Sequence, residues 1–128
     1  MIQDWKGSLK LTAWRILSHC RDAEEAEAVA CLEGVHMAMR WPEIPMILES
    51  DCQMVVTNFH TKGHDRSALW QVFAKLHDAG SQLCQLEIIK ISRGQNNMAH
   101  ELARFAFRSR KSLCFFCLFS GVGCVPLL

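Results

Sequence analysis

The 128 residues are half hydrophobic and about one-fifth charged, which excludes a disordered chain and predicts one domain with one core. The formal charge of +1 excludes little, but it is unevenly spread: residues 1–57 hold 5 Lys/Arg against 9 Asp/Glu, and residues 58–128 hold 9 against 4. An acidic first half suits cations and a basic second half suits phosphate, with an uneven scatter of solvated charge as the plain alternative.

Six residues, M-I-Q-D-W-K, read as the tail of a strand, and Gly7-Ser8 as the turn after it. Lys10 to Leu17 then reads as a strand. Arg21 to Arg40 has helical spacing, with Asp22 placed to cap it and Glu24 and Glu25 at the positive end of its dipole. Trp41-Pro42 ends it, because a residue before proline is pushed out of the helical region. Met46 to Glu49 reads as a short buried strand, and Ser50 or Asp51 as the cap of a helix running to about Phe59. Residues 61–65 form a loop. A third helix is predicted from about Arg66 to Ala79, on the stripe Leu69, Val72, Phe73 and Leu76, with Gly80 to end it. Leu86 to Ile91 is a strand, residues 93–97 a polar turn, and Asn97 to about Arg108 a last helix. Strands alternating with helices predict an α/β layer fold with parallel pairs.

Residues 111–128 depart from that pattern. This apolar tail is expected to lie outside a domain spanning 1–110. It is close to the minimum length for a membrane span, but Ser-Gly-Val-Gly and Pro126 interrupt it, so no membrane partner is favoured. Cys114 and Cys117 make one CxxC, and Cys124 alone stands near them, short of the four ligands of structural zinc. Seven cysteines, an odd number, with no charged-then-apolar leader, predict reduced thiols and an intracellular setting, nucleus or cytoplasm.

Three places suggest chemistry. Glu27 shares a helix face with Cys31, Gly34 and Ala38, an odd place for a carboxylate. Asp51 stands at the carboxyl end of the central strand, where ligand sites gather in open α/β sheets. Arg93 to Ala103, R-G-Q-N-N-M-A-H-E-L-A, opens the last helix. Carboxylates gathered in this way suit hard divalent cations such as Mg²⁺, and two such ions can clamp a phosphodiester. Each residue also has an ordinary reading: a helix cap for Asp51, a solvated helix position for Glu27, a turn charge for Arg93 and a first-turn residue for His100.

Glu27 in AEAVACLEG, Asp51 in ILESDCQMVV, and Arg93, Asn96, Ala99 and His100 in RGQNNMAHELARFA together resemble the ribonuclease H-like domain of the reverse-transcriptase-associated group found in plant retroelements. The resemblance runs from about residue 4 to 108. It implies a mixed sheet with helices on both faces and a four-carboxylate site holding two Mg²⁺ ions. It also implies hydrolysis of the RNA strand of an RNA–DNA hybrid. Glu27 and Asp51 match two of the carboxylates, as catalytic and metal-binding residues. Arg93 and Asn96 would contact nucleic acid or position the site. His100 stands where the family has its last catalytic aspartate. The family's first strand, with its own aspartate, is expected to be largely missing, and Asp4 does not replace it. Whether the chain is an enzyme therefore stays open. The alternatives are a non-catalytic nucleic-acid-binding module, held by Lys62, Arg66, Lys75, Lys90, Arg93, Arg104 and Arg108, and a degenerate copy without function. Oligomeric state is not legible.

Overall fold

The computed structural model describes residues 1–14, 16–17, 19–61, 68–110, 113–117 and 124–127, with backbone alone for Trp14, Ala68 and everything from Leu113 onward. The predicted loop 62–65 and the basic residues Lys62 and Arg66 lie outside the described residues. The chain divides into two compact units: Met1–Ser18 with Asn97–Leu128, and His19–Asn96.

The first unit holds β1 (Ile2–Gln3), β2 (Leu9–Trp14), α4 (Asn97–Ser109), β5 (Leu113–Cys117) and β6 (Cys124–Leu127). Its strands form one antiparallel sheet in the order β1-β2-β5-β6. One stretch of the apolar tail, β5, thus lies beside β2, and a second, β6, lies beside β5. The β1–β2 turn is organised by Asp4, whose carboxylate accepts from the backbone N–H groups of Lys6 and Ser8 and pairs with Lys10 at 2.9 Å. The Lys10 ammonium is the main reason the Asp4 carboxyl lies below its usual range. Gly7 takes φ +80°, open to glycine and strained for other residues. Among the described residues, Leu11 and Ala106 are the buried apolar residues of this unit.

The second unit holds α1 (Ala23–Ala38), β3 (Met46–Ser50), α2 (Gln53–His60), α3 (Ala68–Gly80) and β4 (Leu86–Lys90). Asp22 caps α1 as expected, its carboxylate accepting from the Glu25 N–H at 2.8 Å. The buried residues of α1 are Ala28, Cys31, Val35 and Ala38, a stripe of mostly small side chains that lets the helix pack closely. Val55 of α2, Phe73, Leu76 and Ala79 of α3, Leu83 of the following turn and Ile88 of β4 join them in the core. A Cβ on Gly80 would fall 2.7 Å from a Leu86 methyl, so glycine here permits close approach of the α3 end to β4.

β3 and β4 pair in parallel, Met46 opposite Leu86 through Ser50 opposite Lys90. Parallel and antiparallel pairs are both present, so the chain is mixed α/β, with the two kinds divided between two sheets. Met46 N–H donates to the Gln85 carbonyl and Ser50 O accepts from Ile91 N–H. The alternation of a ladder then turns the backbone groups of Ile47 and Glu49 away from β4. On the far side of β4, His60 hydrogen-bonds the Ile88 carbonyl at 3.1 Å.

Candidate functional site

The predicted residues Glu27, Asp51, Arg93 and Asn96 all belong to the second unit, and His100 belongs to the first. The site is built from the carboxyl end of β3. Ser50, its last residue, is the buried polar residue among those described. Its carbonyl accepts from Ile91 and its Oγ accepts from the Cys52 N–H at 3.1 Å. The Cys31 thiol of α1 lies beside it. Two hydrogen bonds therefore fix this residue, and the next one, Asp51, leaves the sheet in a defined direction.

The expected helix cap is corrected here. Neither Ser50 nor Asp51 caps α2. The N-cap is Cys52, extended at φ −92° and ψ 106°, with no side-chain cap bond. The reason is local: Ser50 Oγ holds the Cys52 amide, which keeps that residue extended and delays the helix to Gln53. The Asp51 carboxylate is engaged elsewhere. Its Oδ1 accepts from Asn96 Nδ2 at 2.6 Å, across 45 residues of sequence. A hydrogen bond to a carboxylate is shorter and stronger than one between neutral groups.

Asn96 is itself held in place. Ser92 Oγ accepts from the Gln95 N–H at 3.3 Å, and Gln95 Oε1 accepts from the Ser92 N–H at 2.9 Å. This reciprocal pair closes the turn S-R-G-Q in the manner of a capping box. The Asn96 N–H also donates to the Ser92 carbonyl at 3.1 Å. Ser92 and Gln95 were missed in the sequence reading, although the S-x-x-Q spacing ahead of a helix was the available signal. Arg93 stands exposed on the same turn.

Glu27 arrives from α1, one helical turn before Cys31. Burial pushes the Cys31 thiol up to about 12, and the Glu27 charge pushes it in the same direction. Glu27 thus lies near the thiol that neighbours Ser50, the residue before Asp51. The expectation that this face of α1 meets the sheet holds at Gly34, where an added Cβ would touch Leu48 Cδ1 at 3.7 Å. His100 is half-buried in the first turn of α4.

A family model described as reverse transcriptase-like matches residues 1–106. The chain belongs to the reverse transcriptase-like family. It is therefore a ribonuclease H-like domain in general terms. No curated protein and no solved structure matches it. The ligand that the resemblance implies is a divalent ion, and the side chains present can be compared with its needs. Among the described residues, no group of three or more His, Cys, Asp or Glu could hold a metal ion. Two carboxylates are short of the four that the resemblance implies. No helix among the described residues is long and apolar enough to cross a membrane.

Proposed function

We propose that this reverse transcriptase-like chain binds nucleic acid at the carboxyl end of β3, with RNA–DNA hybrid as the substrate class. Two-metal hydrolysis of the RNA strand is its ancestral chemistry rather than an efficient present activity. What carries the proposal is the Asn96–Asp51 hydrogen bond. It takes the carboxylate away from helix capping and fixes it beside the exposed Arg93 turn. Backbone contacts from arginines and side-chain amides are the ordinary means of gripping phosphates.

Glu27 and Asp51 are the oxygen ligands proposed for a cation at this end. Mg²⁺ is the ion of matching hardness, since it accepts one or two carboxylates and keeps several waters. A single ion held by two carboxylates lacks the paired clamp on attacking and leaving oxygens. No group of three ligands converges among the described residues, and this favours binding over cutting. His100 stands in the position of the family's last aspartate, and an imidazole suits softer metals than Mg²⁺.

The test is retention and cleavage of a fluorescent RNA–DNA hybrid by the full chain, in Mg²⁺ and in Mn²⁺. The expected result is retention at low salt, falling linearly in log–log form as salt rises, with little cleavage. Arg93→Ala should reduce the salt slope by about 1. A chain that retains no hybrid at low salt would falsify the proposal. Brisk cleavage that survives Asp51→Asn would remove Asp51 from its assigned role.

A further inference from the structure

The outward side of α4 is unusual for a helix end. Ala106 is buried, which marks the inward side, and Leu102 and Ser109 are half-buried at its border. Met98, Glu101, Phe105 and Arg108 follow the i, i+3, i+7, i+10 spacing of a single stripe, and Arg104 lies one turn from Glu101 and Arg108. All five are exposed, Met98 at 59% and Phe105 at 54%. With Leu102 they line a shallow groove of about 320 Å³.

Two properties indicate an occupant. The first is charge. Asn97 to Arg110 carries Arg104, Arg108 and Arg110 against Glu101 alone, so the stripe is complementary to an anion. Arg104 pairs with Glu101 at 2.9 Å, but both side chains are more than half exposed. An exposed i, i+3 pair contributes little and gives way readily to a phosphate. The second is the aromatic ring set among these cations. Exposed aromatics in a basic groove are stacking platforms for unpaired bases, which every base can use and a duplex cannot supply from its interior. An apolar protein partner fits less well, because charges are depleted from the core of such interfaces, and here three of the six lining residues are charged.

We infer that the outward stripe of α4 is a binding site for single-stranded nucleic acid, with Arg104 and Arg108 on phosphates and Phe105 stacked on a base. This rests on the nucleic-acid reading above and adds a second, separate contact to it. The strand proposed for α4 is unpaired, DNA or RNA.

The experiment is fluorescence anisotropy of the full chain with labelled oligo-dT and oligo-U of twelve nucleotides, across a salt series. Oligo-dT and oligo-U separate a DNA strand from an RNA strand. The double variant Arg104→Gln, Arg108→Gln should shed about 1.4 from the salt slope, two single-strand phosphate contacts' worth. Phe105→Ala should weaken binding by at least about fivefold with the slope unchanged, and Phe105→Trp should restore it. Glu101→Gln should bind more tightly than the parent chain. Equal slopes for the parent and the double arginine variant overturn the inference while hybrid retention stands. If neither strand type nor hybrid is retained at low salt, both readings fall together. If Phe105→Ala melts below the parent chain, Phe105→Trp decides alone, and failure to restore overturns the stacking role. Tighter binding of an acidic peptide than of either oligonucleotide overturns the choice of occupant.

Discussion

Ser50 shows how one buried hydroxyl can set the chemistry of its neighbour. Its Oγ accepts the Cys52 amide and the Cys31 thiol lies beside it, while its carbonyl closes the β3–β4 ladder at Ile91. Removing the hydroxyl leaves a part-buried amide without its acceptor. Ser50→Ala should therefore cost about 1–3 kcal/mol, the desolvation penalty of an abandoned polar group, read as a lower urea midpoint at unchanged slope. It should also allow Asp51 to compete for the freed α2 amides, so hybrid affinity should fall further than in a core variant of equal stability loss. The Asp51 position was legible from its place after an apolar strand. Its partner was not, because a hydrogen bond spanning 45 residues leaves no periodic trace in the sequence. The acidic cap reading failed for a related reason: local propensity favours aspartate at a helix start, and Ser50 overrides it.

At the scale of elements, the sequence foretold most of what is seen. Asp22 caps α1, the apolar stripe of α3 is buried at Phe73 and Leu76, and the turn before α4 falls where the polar run placed it. These succeed because capping chemistry and helical spacing are local. Met98 and Phe105 have core spacing yet stand exposed, while the buried residue is Ala106. Spacing identifies a face but not the partner of that face. Sheet pairing was also out of reach, since β5 and β6 come from a run whose composition indicates only that it is apolar. Gly34 offers a test at this scale. It lies inside α1, and a Cβ there would meet Leu48 at an ordinary 3.7 Å. Gly34→Ala should stabilise by about 0.5–1 kcal/mol through helix propensity, measured as a raised thermal midpoint. A loss of stability would show that α1 and β3 tolerate no closer contact.

For the whole molecule, the open side of β3 carries a consequence for life at high concentration. Ile47 and Glu49 turn their amide and carbonyl groups away from β4, and among the described residues no third strand pairs with them. Ile47 is 62% exposed. An unpaired apolar edge recruits strands from other copies, and a charge upon it is a common deterrent. Glu49 is that charge. Glu49→Val should leave the fold intact yet raise light scattering on concentration, whereas Glu49→Lys should stay clear. Equal scattering from all three chains would show that the edge is guarded in some other way. On the proposed function the two carboxylates of E-S-D divide their labour: Asp51 serves the nucleic-acid site, and Glu49 keeps neighbouring molecules apart, a matter of colloidal solubility rather than of recognition.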